Sequence, residues 1–203
     1  MTEKITLLLG IDFETANEKA HPCSMGIAMK KLWGEWIIPS AEMLINPESY
    51  FSWRCVQVHG ITEDMTANSP IFPEAIEKFR KLSESGALVL AHNAPFDIKQ
   101  VMSKSCERYS ISMPKFKFID TLTASRIMTP KPHTLSDMAS KLKIESFSHH
   151  KAGADARACV MIFEALMKQA GANAPEEFAS KIGIEIGSAG KNIYKPCMKK
   201  QDA

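Results

Sequence analysis

The chain has 203 residues, enough for one ordinary domain with a short extension, and a net charge of only +2, too small to point to any partner. Its 45% hydrophobic and 24% charged residues are those of a globular protein that buries a real core rather than of a disordered chain. No apolar run approaches the ~18 residues that cross a membrane, so no membrane partner is expected.

In chain order, the first element is "LLLGIDFETAN", residues 7 to 17. Leu7, Leu8, Leu9, Ile11 and Phe13 leave it almost no polar face, so it reads as a buried strand. Near its end stand Asp12 and Glu14, which project from the same face because side chains alternate along a strand. "CSMGIAMKKLWGEWIIPSAEMLIN" reads as two strands turning near Trp33-Gly34-Glu35. "VQVHGIT" reads as loop with a short strand. "SPIFPEAIEKFRKLSESG" has Ser69 as a cap candidate, apolar residues at helical spacing and Gly86 as the stop. "ALVLAHN" is a short apolar strand, and Pro95 opens a helix. "KFKFID" is a strand, followed by helices in "TLTASRIM" and in "TLSDMASKLKI", the latter capped by Thr134. "AGADARACVMIFEALMKQAG" is the longest helix and ends at Gly171.

This order predicts an α/β fold with a mixed five-stranded sheet flanked by helices. The expected domain spans residues 1–171. Residues 172–203 form an extension, a peripheral helix and a basic, partly disordered tail with Lys191, Lys195, Lys199 and Lys200. The first strand begins almost at once, which leaves no space for a signal peptide. The five cysteines are odd in number and form no C-x-x-C pair, which fits a reducing cytoplasm better than a disulfide framework.

Two further acids stand where acids are rarely buried. Asp97 follows "AHNAPF" just beyond an apolar strand. Asp155 lies in the first turn of the last helix, and helical steps from it reach Ala158, Cys159, Ile162, Phe163 and Leu166, so it faces the core. A lone acid at a helix start is ordinarily a cap. That reading leaves Asp12 and Glu14 unexplained, because sites form at the carboxyl ends of strands in open α/β sheets. If the four converge, two unit charges ~4 Å apart cost about 4 kcal/mol at an effective dielectric near 20. Such a cluster takes up protons or binds cations, and an all-oxygen set suits Mg²⁺ or Mn²⁺. Two such ions about 3.5 to 4 Å apart would activate water and stabilise the leaving oxygen of a phosphodiester.

"DFE" (Asp12, Glu14), "HNAPFD" (His92, Asn93, Asp97) and "HKAGAD" (His150, Asp155) resemble, in order, the three exonuclease motifs of the DEDD superfamily. The H-x-A-x-x-D form of the third points to its DEDDh branch, which includes the proofreading epsilon subunit of bacterial DNA polymerase III and ribonuclease T. "VHGIT" and "FIDTLTASR" are supporting matches, and the resemblance runs from about residue 5 to 170. It implies a ribonuclease H-like fold and 3′→5′ hydrolysis of single-stranded nucleic acid, DNA favoured, to nucleoside monophosphates. RNA 3′-end trimming is the alternative. It also implies two Mg²⁺ or Mn²⁺ ions, with Asp12 bridging both, Glu14 and Asp155 on the first and Asp97 on the second. His150 would be the general base, a role that suits an imidazole near neutral pH. Phe13, Thr15, His59, Gly60, Ile61, Asn93 and Phe96 would lie against the terminal nucleotide. A polymerase or repair partner stays open, since the tail has no long flexible linker.

Two competing readings remain. One is a catalytically inactive nucleic-acid-binding module, although all five signature residues are present. The other is a structural zinc site on His149, His150 and a cysteine, for which no cysteine is suitably spaced.

Overall fold

The computed structural model describes residues 6–145, 148–191 and 193–200. The sheet begins with three antiparallel strands, β1 (Leu7–Thr15), β2 (Pro22–Lys31) and β3 (Trp36–Leu44). Helices α1 (Trp53–His59), α2 (Glu63–Thr66) and α3 (Phe72–Ser83) follow. Strand β4 (Leu88–Ala91) pairs parallel with β1, and β5 (Phe116–Asp120) pairs parallel with β4. Between them run a π-helix, Pro95–Ser103, and α4 (Lys104–Arg108). Then come α5 (Thr121–Met128), α6 (Leu135–Lys141), α7 (Ala152–Gln169) and α8 (Pro175–Ile182).

Most of these elements stand where the residue pattern puts them. Thr134 and Asp137 cap α6 reciprocally: each side chain accepts the other's backbone N–H, at 3.2 and 3.1 Å. Three expectations need correction. "VQVHGIT" is not strand and loop: Val56 to His59 close α1, and Gly60 caps it in the left-handed region at φ 76°. Apolar residues two apart fit a strand and a short helix equally, and Gly60 decides it. Ser69 does not cap α3, which starts at Phe72 behind Ile71 with Pro73 in its first turn. Finally, the sheet has seven strands, ordered β3-β2-β1-β4-β5-β7-β8, rather than five. The extra two, β7 (Gly187–Gly190) and β8 (Ile193–Lys195), come from the extension. Gly187 fits beneath the Phe118 ring of β5, where any Cβ would lie 2.4 Å from it, and β7 pairs antiparallel with β5. Glycine-rich "GIEIGSAG" carried no strand signal. Short strands β6 (Ile184–Glu185) and β9 (Met198–Lys199) pair with each other. The basic tail expected to be partly disordered thus carries Lys195 in β8 and Lys199 in β9, and only its residues 192 and 201–203 lie outside the described residues.

Two contacts fix the position of α7. Gly10 of β1 faces the helix so closely that a Cβ there would lie 2.0 Å from the Ala156 carbonyl oxygen. At Gly26 of β2 the corresponding distance to the Ala152 oxygen is 1.9 Å. Helix backbone therefore rests on strand backbone, and Asp155 is lowered onto the face that carries Asp12. Gly26→Ala is expected to lift the helix and lower stability by about 1–3 kcal/mol, read as a fall in melting temperature. A variant that melts with the parent would show that α7 rises freely.

Candidate active site

β1, β4 and β5 run parallel, so their carboxyl ends open at one edge of the sheet. Asp12 and Glu14 stand at the end of β1. The π-helix that follows β4 brings up Asp97, and α7 supplies Asp155 across the face. The wide π-helical turn is a feature often found at functional sites. Together with Phe13, His92, Phe96, Leu135, His149 and His150, these acids line a cleft of about 200 Å³.

Carboxylate oxygens of Asp12, Glu14 and Asp155 lie within 4.8 Å of one another. Asp97 is buried, and its Oδ1 accepts the backbone N–H of Phe13 at 3.2 Å. That bond pins the π-helix to the residue after Asp12. Burial, then the charges of Asp97, Asp155 and Glu14, push the Asp12 carboxyl well above the ordinary carboxylate range. Burial raises Asp97 as well, although the Phe13 N–H pulls against it. Glu14 is raised to about 7 by burial first, then by Asp155 and Glu42. Asp155 is also raised by burial, partly offset by its hydrogen bond to His149. Three carboxyls with oxygens this close, and buried Asp97 lining the same cleft, make a donor set that fits divalent cations.

These shifts carry a testable sign. A carboxyl raised in the folded state stabilises the fold below its unfolded value near 4, and the contribution is lost as pH climbs through the folded value. Desolvation holds buried His59 and half-buried His92 below the ordinary imidazole value, so they cost stability only toward lower pH. Between pH 6 and 8 in EDTA the melting temperature should therefore fall, and a divalent cation at pH 8 should restore it. Equal melting at both pH values would mean that burial and mutual repulsion of the acids cost too little to matter.

In the third motif His149 is exposed, in the turn before α7, and its Nδ1 lies 3.1 Å from Asp155 Oδ1. His150 donates its backbone N–H to Asp155 Oδ2 at 3.1 Å, with a left-handed backbone at φ 62°. The two rings stack with centroids 4.4 Å apart. Folding the backbone back at His150 brings both rings to the cleft, which an extended approach would not.

The nucleotide-contact candidates divide. Phe96 lines the cleft and is 38% exposed, so it is not a core residue. Phe13 lines the cleft too but is buried in the main core. His59 is committed elsewhere: its Nδ1 accepts the Ile61 N–H at 3.0 Å and its Nε2–H donates to the Thr15 carbonyl at 3.1 Å. Ile61 packs with Ala16 and Cys23 in a satellite cluster. Thr15, His59, Gly60 and Ile61 thus flank the cleft, outside its lining. Asn93 is exposed, at φ 87°, and gives its N–H to Asp120 Oδ1 at 2.9 Å.

Two acids carry roles that the motifs left unassigned. Asp120 is buried and also accepts from Ala94 N–H, Leu122 N–H and the Thr123 hydroxyl, at 3.2, 3.1 and 2.7 Å. It ties the loop that aims Asp97 to the start of α5. Its place before "TLT" was the available signal, that of a helix cap. Glu42 shares a cross-strand row with Asp12, through Gly26, and accepts from Ser24 Oγ at 2.8 Å. Nothing local in "SAEML" marks it, because the row exists only once β1, β2 and β3 are in register.

The whole-chain comparisons agree with this geometry. Residues 9–163 match the exonuclease family (RNase_T). The PolC-type DNA polymerase III of Bacillus cereus is 31% identical over 160 residues, 77% of this chain but 11% of that much longer protein. Among solved structures, exonuclease X in complex with 5′-overhanging duplex DNA superposes with a TM-score of 0.69 at 21% identity, covering 87% of this chain and 99% of that one. A full-length 3′-exonuclease superposes at 0.72 and 17% identity, covering 97% and 96%. The fold is thus the ribonuclease H-like one, and the chain belongs to the exonuclease family of the DEDD superfamily.

Proposed function

We propose that this protein removes nucleotides one at a time from the 3′ end of single-stranded DNA, using two Mg²⁺ or Mn²⁺ ions. The observation that carries the reading is the meeting of Asp12, Glu14, Asp97 and Asp155 from three separate elements beside a histidine pair. Asp12 would be shared by both ions, with Glu14 and Asp155 on one and Asp97 on the other. Bound there, the ions would supply charge for the attacking and leaving oxygens. His150 takes the proton of the attacking water as its oxygen bonds to phosphorus. The P–O3′ bond breaks, a nucleoside 5′-monophosphate leaves, and the shortened strand keeps a 3′ hydroxyl. Phe96, exposed at the cleft, lies against the terminal base, while Asp120 holds Asn93 and Asp97 in place. DNA as substrate is supported by the likeness to polymerase-borne relatives, of which this chain spans about a tenth. We place it in the cytoplasm, a reading that its odd number of cysteines without a C-x-x-C pair supports.

The test is a single strand labelled at the 3′ end beside one labelled at the 5′ end, with a matched RNA strand in parallel. Early release of the 3′ label as mononucleotide, stopped by EDTA, is the expected result. Early loss of the 5′ label would sink the polarity, and faster loss of RNA would sink the preference.

A further inference from the structure

The described residues expose ten large hydrophobic side chains, and four of them, Tyr50, Trp53, Val58 and Met65, fall within sixteen positions beside the cleft. Trp53 is 73% exposed, the most of any. A solitary exposed apolar residue needs no explanation, but a concentration at the rim of a site does. The solvent face of α1 consists of Trp53, Arg54, Gln57 and Val58, while Cys55, Val56 and His59 turn inward. That composition is unlike the charged face of an ordinary surface helix.

Both ends of α1 are fastened to the chain that leaves the catalytic strand. Ser52 N–H donates to the Ala16 carbonyl at 2.7 Å. At the other end, the His59 ring donates to the Thr15 carbonyl, one residue beyond Glu14. The helix therefore keeps a fixed place relative to Asp12 and Glu14. Six residues of helix put Trp53 about 9 Å along the axis from His59. The charges around it are Arg54 and Lys19, the latter 5.9 Å from the Tyr50 ring centroid. The acids of the same region are Glu63 and Asp64, exposed at the start of α2, and Glu18, whose carboxylate takes the hydroxyls of Ser52 and Tyr50 at 2.5 and 3.2 Å.

We infer that this face of α1 is a platform for the part of the strand upstream of the terminal nucleotide, with Trp53 stacked on a base and Arg54 against the adjoining phosphate. The inference rests on the exonuclease reading and adds a second subsite to it. An aromatic plane beside a cation is the arrangement that holds single strands without regard to sequence, since every base offers a π-face. The occupant is the substrate itself, because α1 is tethered to Thr15 and Ala16, directly after Glu14, and presents Trp53 and Arg54 side by side on its solvent face.

Strand length is the variable that tests it. With the wild type, KM for a dinucleotide should exceed KM for a hexanucleotide by about tenfold, the usual worth of one base–aromatic stack. Trp53→Ala should abolish that difference by raising KM for the hexanucleotide, with kcat held within about twofold, and Trp53→Phe should restore most of it. Trp33→Ala, which removes an exposed tryptophan at the β2–β3 turn, should leave the difference in place and so exclude general stickiness. A length dependence that survives Trp53→Ala overturns the platform. So does a wild type that cleaves both lengths with equal KM, and that result leaves the exonuclease reading standing. A wild type that cleaves neither overturns both.

Discussion

Asp12→Asn is expected to lower turnover by about 10²- to 10⁴-fold, the equivalent of several kcal/mol of charge stabilisation at the reacting phosphate. The fold should survive. The amide occupies the volume of the carboxyl, and the core beneath it, with Leu9, Ile11 and Phe13 on the same strand, is untouched. In metal-free solution the variant should melt above the parent at pH 8, because burial, and then the charges of Asp97, Asp155 and Glu14, penalise the ionised Asp12. The two measurements point in opposite directions, which separates a ligand from a structural residue. A merely structural carboxyl would lose stability and activity together. Asp155→Asn should lose as much activity, but its stability gain should be smaller, since His149 and the His150 N–H already compensate its charge. Retention of more than a few per cent of turnover by either variant would remove that residue from the donor set.

His150→Ala is the second large effect, about 10²- to 10⁴-fold in turnover, the usual contribution of a positioned base. His149→Ala should change turnover by less than about threefold, although its ring lies against Asp155. The geometry gives the reason for the contrast. His149 faces the carboxylate itself, a position that balances charge, and a divalent cation at Asp155 takes over that function. His150 contributes its backbone to the carboxylate and keeps its ring at the cleft. Imidazole added to the buffer should restore part of the lost rate to His150→Ala and none to His149→Ala. If the larger loss falls on His149, the third motif is read one residue out of register.

Legibility followed the range of the forces involved. Asp12, Glu14, Asp97 and Asp155 could be read because each breaks a local rule, an acid inside an apolar run or on a buried helix face. Helix α6 could be read from Thr134 and Asp137 alone, three positions apart. What escaped depends on partners distant in the chain. The strands β7 and β8 exist because Gly187 and Ala189 meet Phe118 and Phe116 across some seventy positions. The approach of His149 to Asp155 depends on the left-handed turn at His150, a conformation that histidine adopts more often than most residues but that nothing in the local sequence demands. His59 reads as a substrate contact from its motif, and only the Thr15 carbonyl and the Ile61 amide reveal that its ring also tethers α1 to β1.

Because α7 rests on β1 and β2 through Gly10 and Gly26, the gap between the first and last acids is a main-chain dimension. It does not depend on how the aromatic interior is filled, whether Phe79 lies edge-on to Phe116 or Phe163 to Phe178. Interior residues can then drift or be redesigned for heat resistance without retuning the chemistry. Glycine-to-alanine exchange, elsewhere a routine stabilising step, is the one such tool to withhold at these two positions.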